Sequence, residues 1–155
     1  AKNYAALRDM NEIIRTDLLK KEYYTITVGI PQSGRFTAWW EHDEKNNKVS
    51  IHAHQSQDER RKQIITDVDV LRTAGPFALC KIGLVTGRTH QIRVQFASRK
   101  HPLYGDGKYG SRQKGSIALQ SCGLQFVHPD TGKPMAFSLP LPAAAPWKEF
   151  LELGE

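Results

Sequence analysis

Residues 83–110, GLVTGRTHQIRVQFASRKHPLYGDGKYG, interleave basic, imidazole, amide and glycine residues in an order too varied for low-complexity sequence. Arg88 and Arg93 are permanent cations with planar donor forks, the side chains best suited to fixed contacts with phosphate or carboxylate. They lie roughly 140° apart around a helix, so one can face an external anion while the other points into a site. The bland alternative for each is a solvated face or a bond to a loop carboxylate. His90 and Gln91 stand beside them and can donate to phosphate or to loop backbone. Pinning a loop suits His90 better than proton transfer. Asp106, between Gly105 and Gly107, invites the thought of a catalytic carboxylate, but that spacing favours a tight turn in which the aspartate caps its own backbone.

Other constellations carry less. His52 and His54 share one face of a strand, as a pair of metal ligands would, but no third ligand stands at a suitable spacing. No metal site is expected. Asp67 and Asp69 form a similar same-face pair that a solvated sheet face explains. Tyr23 shares its strand face with Thr25 and Thr27, where an aromatic ring can stack on a planar ligand or pack across strands.

The elements that must hold these residues follow from periodicity. Leu7, Met10, Ile14 and Leu18 recur at helical steps from Tyr4 to Leu19, which predicts a helix with one buried face. KEYYTITVGI, residues 21–30, switches to period two and predicts a strand with Tyr24, Ile26 and Val28 on one face and Tyr23, Thr25 and Thr27 on the other. RFTAWWEHDEKNNKVSIHAH reads as a hairpin turning at Asn46–Asn47, and QSQDERRKQ (55–63) as a polar crossing. Ile64–Arg72 and Phe77–Val85 form an expected antiparallel pair joined at 74–76. A helix follows, capped by Thr86 or Thr89, with Ile92, Phe96 and Ala97 inward. Two further strands around PDTGK, a proline-rich stretch and a short helix at WKEFLEL close the chain. No repeat or linker interrupts it, so residues 1–155 read as one domain.

The 155 residues carry 22 Lys and Arg against 16 Asp and Glu, a net charge of +6, and the isoelectric point is near 9.4. That balance favours a polyanionic partner such as RNA or DNA. Cys80 and Cys122 form no metal or disulfide framework, which fits a reducing cytoplasm. No apolar run approaches the roughly 20 residues of a membrane span, and the first residues lack the apolar core of a secretory signal. A start at AKNYAALRDMNE, without Met and almost at once helical, suggests a fragment or a processed chain.

The 83–110 stretch closely resembles the signature of the RluA-type RNA pseudouridine synthases, L-x-T-G-R-T-H-Q-I-R followed by H-P-I-x-G-D-x-x-Y-G. KEYYTITVG resembles that family's K-x-Y strand, and LQSCGLQFVHPDTGKPMAFSLPLP its L-H-A-x-x-L-x-F-x-H-P segment, so the likeness spans nearly the whole chain. It implies isomerisation of uridine to pseudouridine in structured rRNA or tRNA by one aspartate, with no metal or organic cofactor. Carried over, Arg93 would salt-bridge and orient that aspartate, Tyr23 would lie against the flipped uracil, and Leu119 would form an apolar wall. Lys21, Arg88, His90 and Gln91 would support the pocket or the RNA backbone. The family's aspartate lies in an H-R-L-D segment, which these 155 residues lack. Asp106 belongs to the G-D-x-x-Y-G turn and does not replace it. Gln95 and Gln120 stand where the family usually or often has His.

The resemblance implies an α+β fold with a mixed, largely antiparallel sheet and flanking helices, here without its N-terminal strands and helices. An uncovered sheet edge would then invite self-association. Three functions follow from these readings. The first is part of an isomerase, inactive as this chain alone. The second is a non-catalytic RNA-binding module of the same fold, and the third a basic structural domain with a protein partner.

Overall fold

A computed structural model of the chain describes residues 2–16 and 18–152. Its centre is a seven-stranded sheet built from β1 (Lys20–Val28), β2 (Gly34–Asp43), β3 (Lys48–His52), β4 (Lys62–Ala74), β5 (Phe77–Leu84), β6 (Leu119–Val127) and β7 (Pro134–Ser138). The order is β3-β2-β4-β5-β1-β6-β7, and every pairing is antiparallel. This is the expected α+β architecture, with no parallel pair among the described strands.

β1 lies inside the sheet, between β5 and β6, and not at an edge; the open edges among the described strands are β3 and β7. Both faces of β1 are covered, because Thr25, Ile26 and Thr27 are all buried. The threonines tolerate burial because their hydroxyls donate to backbone carbonyls, Thr25 to Ala118 at 2.7 Å and Thr27 to Gly29 at 2.8 Å. The polar-looking face of the strand is therefore core.

Helix α2 (Gln91–Ser98) lies on that face. Ile92 and Phe96 pack with Phe36, Val68, Ala78, Cys80, Ile82 and Leu103, and the Phe36 and Phe96 ring centroids are 5.5 Å apart. The Arg99 guanidinium covers the outer side of Phe36, 3.7 Å from its centroid, a contact that stabilises through cation–π attraction and exclusion of water. On the opposite face, Ile26, Leu79 and Ala118 meet Trp147, just before α3 (Lys148–Glu152), and Phe150 within it. Residue 153, the last of the expected C-terminal helix, lies outside the described residues.

Two helical expectations change. α1 runs from Tyr4 to Arg15, capped by Asn3, whose side chain accepts from the Ala6 N–H at 2.8 Å. It closes at Thr16, whose N–H and hydroxyl both donate to the Glu12 carbonyl, so it stops short of Leu19. Its apolar stripe is real, yet no residue of the helix is buried; Leu7 and Ile14 remain 47% and 49% exposed. Periodicity gives a helix its apolar face and does not say what covers that face. α2 has no threonine cap. The capping position is His90 in left-handed conformation, φ 55°, with no side-chain cap bond, and Thr86 spends its hydroxyl elsewhere.

Candidate active site

The G-D turn is held against the end of β1. The Val28 N–H donates to the Pro102 carbonyl at 2.9 Å and the Tyr104 N–H to the Ile26 carbonyl at 2.8 Å, and fully buried Leu103 sits between them. The chain then turns through Gly105, at φ +80°, into Asp106 and a 3-10 turn at Gly107–Tyr109. Leu103 is also part of the core under α2, so one packing unit fixes turn and helix together.

Across that unit, Arg93 Nε donates to Asp106 Oδ2 and Nη2 to Oδ1, each at 2.8 Å. The Asp106 side chain is 1% exposed and that of Arg93 17%. Asp106 is a turn residue whose carbonyl accepts the N–H groups of Tyr109 and Ser111, but its carboxylate does not cap its own backbone as the glycine spacing suggested. It binds Arg93, because a carboxylate this buried needs a cation and two donors. The carboxylate raises the Arg93 pKa through these hydrogen bonds, against the opposing effect of burial. Only the side-on edge of the guanidinium is used. Among the described residues, Nη1 carries no hydrogen bond, and with the second Nη2 hydrogen it presents a second fork.

Tyr109 closes over the pair, with Arg93 4.9 Å from its ring centroid. Its hydroxyl meets His90 Nδ1 at 2.8 Å, so His90 does pin a loop. Burial, then the nearby Arg93 and Lys108 charges, lowers the His90 pKa. Burial raises that of Tyr109. A neutral imidazole therefore faces a protonated phenol near neutral pH.

Gln91 requires a correction. It is 2% exposed, and its carboxamide bonds Thr86, the Arg88 backbone, Ile65 and Thr66. A side chain so buried and so fully occupied is support for the site and does not reach an external RNA. Arg88, by contrast, is exposed. Lys21 stands close by: its Nζ is 3.9 Å from where a Cβ on Gly87 would be.

Tyr23 and Leu119 lie on the α2 side of the sheet and pack against the α2 core. Tyr23 pairs with Ser121 and Leu119 with Thr25, which makes the two side chains diagonal neighbours, within reach of one another for an aromatic residue. Away from this region, His52 Nε2 is engaged by Glu41 at 3.2 Å and Ser50 at 2.9 Å, and Asp67 takes a bidentate bond from Arg35. Both are surface pairs across strands. The residues that sequence reading passed over are Thr66 and Tyr109, while Thr86 was read only as a helix cap. Tyr109 stood in the matched turn, and the spacing of Gln91 and Gln95, one helical turn apart, was the signal that two amides face the sheet.

The family model described as RNA pseudouridylate synthase matches residues 1–98, which include Tyr23, Arg88 and Arg93. The chain belongs to the RNA pseudouridylate synthase family. It is 32% identical to an uncharacterised RNA pseudouridine synthase of Chlorobaculum parvum, over 92% of this chain and 50% of that protein. It is 31% identical to ribosomal large subunit pseudouridine synthase D of Haemophilus ducreyi, over 100% of this chain and 50% of that protein. The fold aligns with human RNA pseudouridylate synthase domain containing 1 at a TM-score of 0.74 and 25% identity, covering 93% of this chain and 63% of the human one. As a member of the pseudouridylate synthase family, the chain spans about half the length of the curated relatives it matches.

Proposed function

We propose that this chain forms one wall of the catalytic pocket of an enzyme that isomerises uridine to pseudouridine in ribosomal RNA of the cytoplasm, and that the nucleophilic aspartate comes from sequence outside these 155 residues. The observation that carries this reading is Arg93: a cation fixed on one edge by buried Asp106 and open on the other. A second carboxylate brought to that edge would be held ionised and aimed, as a cation beside an acid does generally. Tyr23 would lie against a uracil flipped out of structured RNA, and Leu119 would supply apolar wall. Arg88 and Lys21 would meet phosphates, so binding would weaken with salt. The likeness to two proteins named ribosomal large subunit pseudouridine synthase D supports rRNA as the substrate.

The reaction balances without a co-reactant. The bond from ribose C1′ to uracil N1 breaks, a bond from C1′ to C5 forms, C5 loses its proton to solvent and N1 gains one. Release of tritium from [5-³H]uridine large-subunit rRNA therefore tests the reading. The 155-residue chain should release none. The protein from the full reading frame should release tritium, and its Arg93→Ala variant should release none while keeping most of its RNA affinity. Release by the 155-residue chain would remove the need for an outside aspartate, and release from tRNA alone would move the substrate. RNA binding without release by the full-length protein would favour a non-catalytic module, a reading motivated by the missing H-R-L-D.

We also propose that the isolated chain self-associates through β7. That edge is open and bears Phe137, 54% exposed, beside Leu139, 58% exposed, which is the combination that recruits further strands. Sedimentation should show a dimer at micromolar concentration that Ala136→Pro converts to monomer. A monomeric wild-type chain would end the idea.

A further inference from the structure

The buried polar side chains beneath α2 form a hydrogen-bond chain with one direction. The Ile65 N–H donates to Thr86 Oγ1 at 2.9 Å, and the Thr86 hydroxyl donates to Gln91 Oε1 at 2.8 Å. Gln91 Nε2 donates to Thr66 Oγ1 at 2.9 Å, and the Thr66 hydroxyl donates to Gln95 Oε1 at 2.5 Å. Gln91 also accepts from the Arg88 N–H at 3.0 Å and donates to the Ile65 carbonyl at 3.1 Å. Each hydroxyl has one proton, so the sequence of donors is determined. Turning the Gln91 amide over would set its NH2 against the Arg88 N–H and its oxygen against the Ile65 carbonyl. The chain of bonds ends at Gln95 Nε2, which is buried and has no partner among the described residues.

We propose that Gln91 is a positioning residue that locks the loop of residues 85–90, and with it Arg88, to strand β4. Without the Gln91 carboxamide the loop keeps four backbone bonds: Val85 and Thr86 N–H to the Ile65 carbonyl at 3.2 and 3.3 Å, Gln91 N–H to the Arg88 carbonyl at 3.0 Å and Val94 N–H to the His90 carbonyl at 2.9 Å. The Trp40 indole N–H also donates to the Thr89 carbonyl at 2.9 Å. None of them holds the Arg88 N–H. The carboxamide is thus the link between a strand inside the sheet and the one loop residue whose exposed guanidinium is placed to meet phosphate. The consequence for RNA rests on the function proposed above; the mechanical claim does not.

Two variants of the 155-residue chain test this. Thr86→Val keeps the shape and removes the hydroxyl between Ile65 and Gln91. Gln91→Glu sets acceptors against the Ile65 carbonyl. Amide hydrogen exchange should quicken at Arg88 by about tenfold in Thr86→Val, while Cys80 and Ile82 in the sheet centre keep wild-type protection, the mark of local opening without global loss. Gln91→Glu should quicken Arg88 exchange further. Affinity for an rRNA hairpin transcript should fall several-fold in Thr86→Val, and adding Arg88→Ala should bring less than its full separate loss, because the two act in one unit. Unchanged Arg88 exchange in both variants, or a full and additive loss from Arg88→Ala, would overturn the proposal. A wild-type chain that binds no RNA would instead count against the proposed function, and the exchange experiment would still decide the clamp.

Discussion

Arg93→Met is expected to cost about 3–5 kcal/mol of folding free energy, the usual penalty for leaving one member of a buried ion pair without its partner. The partner left behind is Asp106, 1% exposed, with both carboxylate oxygens stripped of their donors. Asp106→Leu should cost less, because the Arg93 side chain retains 17% exposure and a long flexible stem that can carry its charge to water. The double variant Arg93→Met/Asp106→Leu should recover most of the loss, since replacing both charges of a buried pair by apolar groups is often neutral or stabilising, by about 1–4 kcal/mol. For a chain of this size, the first variant should melt roughly 10 °C below wild type. The asymmetry is what separates a pair kept for function from one kept for stability. A double variant that folds well, but that releases no tritium when the same two substitutions are made in the full-length protein, fits the function proposed here. An Arg93→Met chain that melts with wild type would show that Asp106 finds other partners or gives up its charge at little cost.

This pair also marks where reading the sequence stops. The ordered motif around residues 83–110 singled out Arg93, as partner of an aspartate outside these residues, and periodicity was enough to place the strands and α2. Asp106 as the carboxylate that Arg93 already holds was not legible. The two are 13 residues apart and meet only because Leu103 seats the turn in the core on which α2 rests. The glycines around Asp106 described its backbone correctly and said nothing of where its side chain goes. In β1 the alternation of threonine with apolar residues was visible, but the burial of those threonines depends on carbonyls at Ala118 and Gly29. Sheet order was likewise beyond local pattern: β1 pairs with β5 and β6, both distant in sequence. Gln91 shows the same limit in reverse. Its place beside two arginines left phosphate and loop backbone both open as partners, and only its four internal hydrogen bonds identify it as support.

Gly105→Ala should be the most damaging small substitution near the site. Its φ of +80° puts it where a side chain is strained, and a Cβ there would stand 2.4 Å from the Ser116 carbonyl oxygen and 2.9 Å from the Ser116 carbon. These are backbone atoms of a segment tied to the sheet: the Ala118 N–H donates to Tyr104 and its carbonyl accepts from Ile26. The neighbour therefore cannot swing aside as a flexible side chain would. Left-handed strain and forced backbone movement together should cost roughly 2–5 kcal/mol. Because the turn moves as a unit, the displacement passes to Asp106, the next residue, and so to the edge of Arg93 that faces the open fork. Gly107→Ala is the control. It lies two residues on with nothing within 4 Å of a Cβ and no positive φ, so its effect should stay within about 0.5 kcal/mol. Thermal melts of the two variants, with tritium release by the corresponding full-length proteins, separate the outcomes. Gly105→Ala should lose stability and activity together and Gly107→Ala neither. Equal behaviour of the two would mean that the turn is not what aims the Arg93–Asp106 pair.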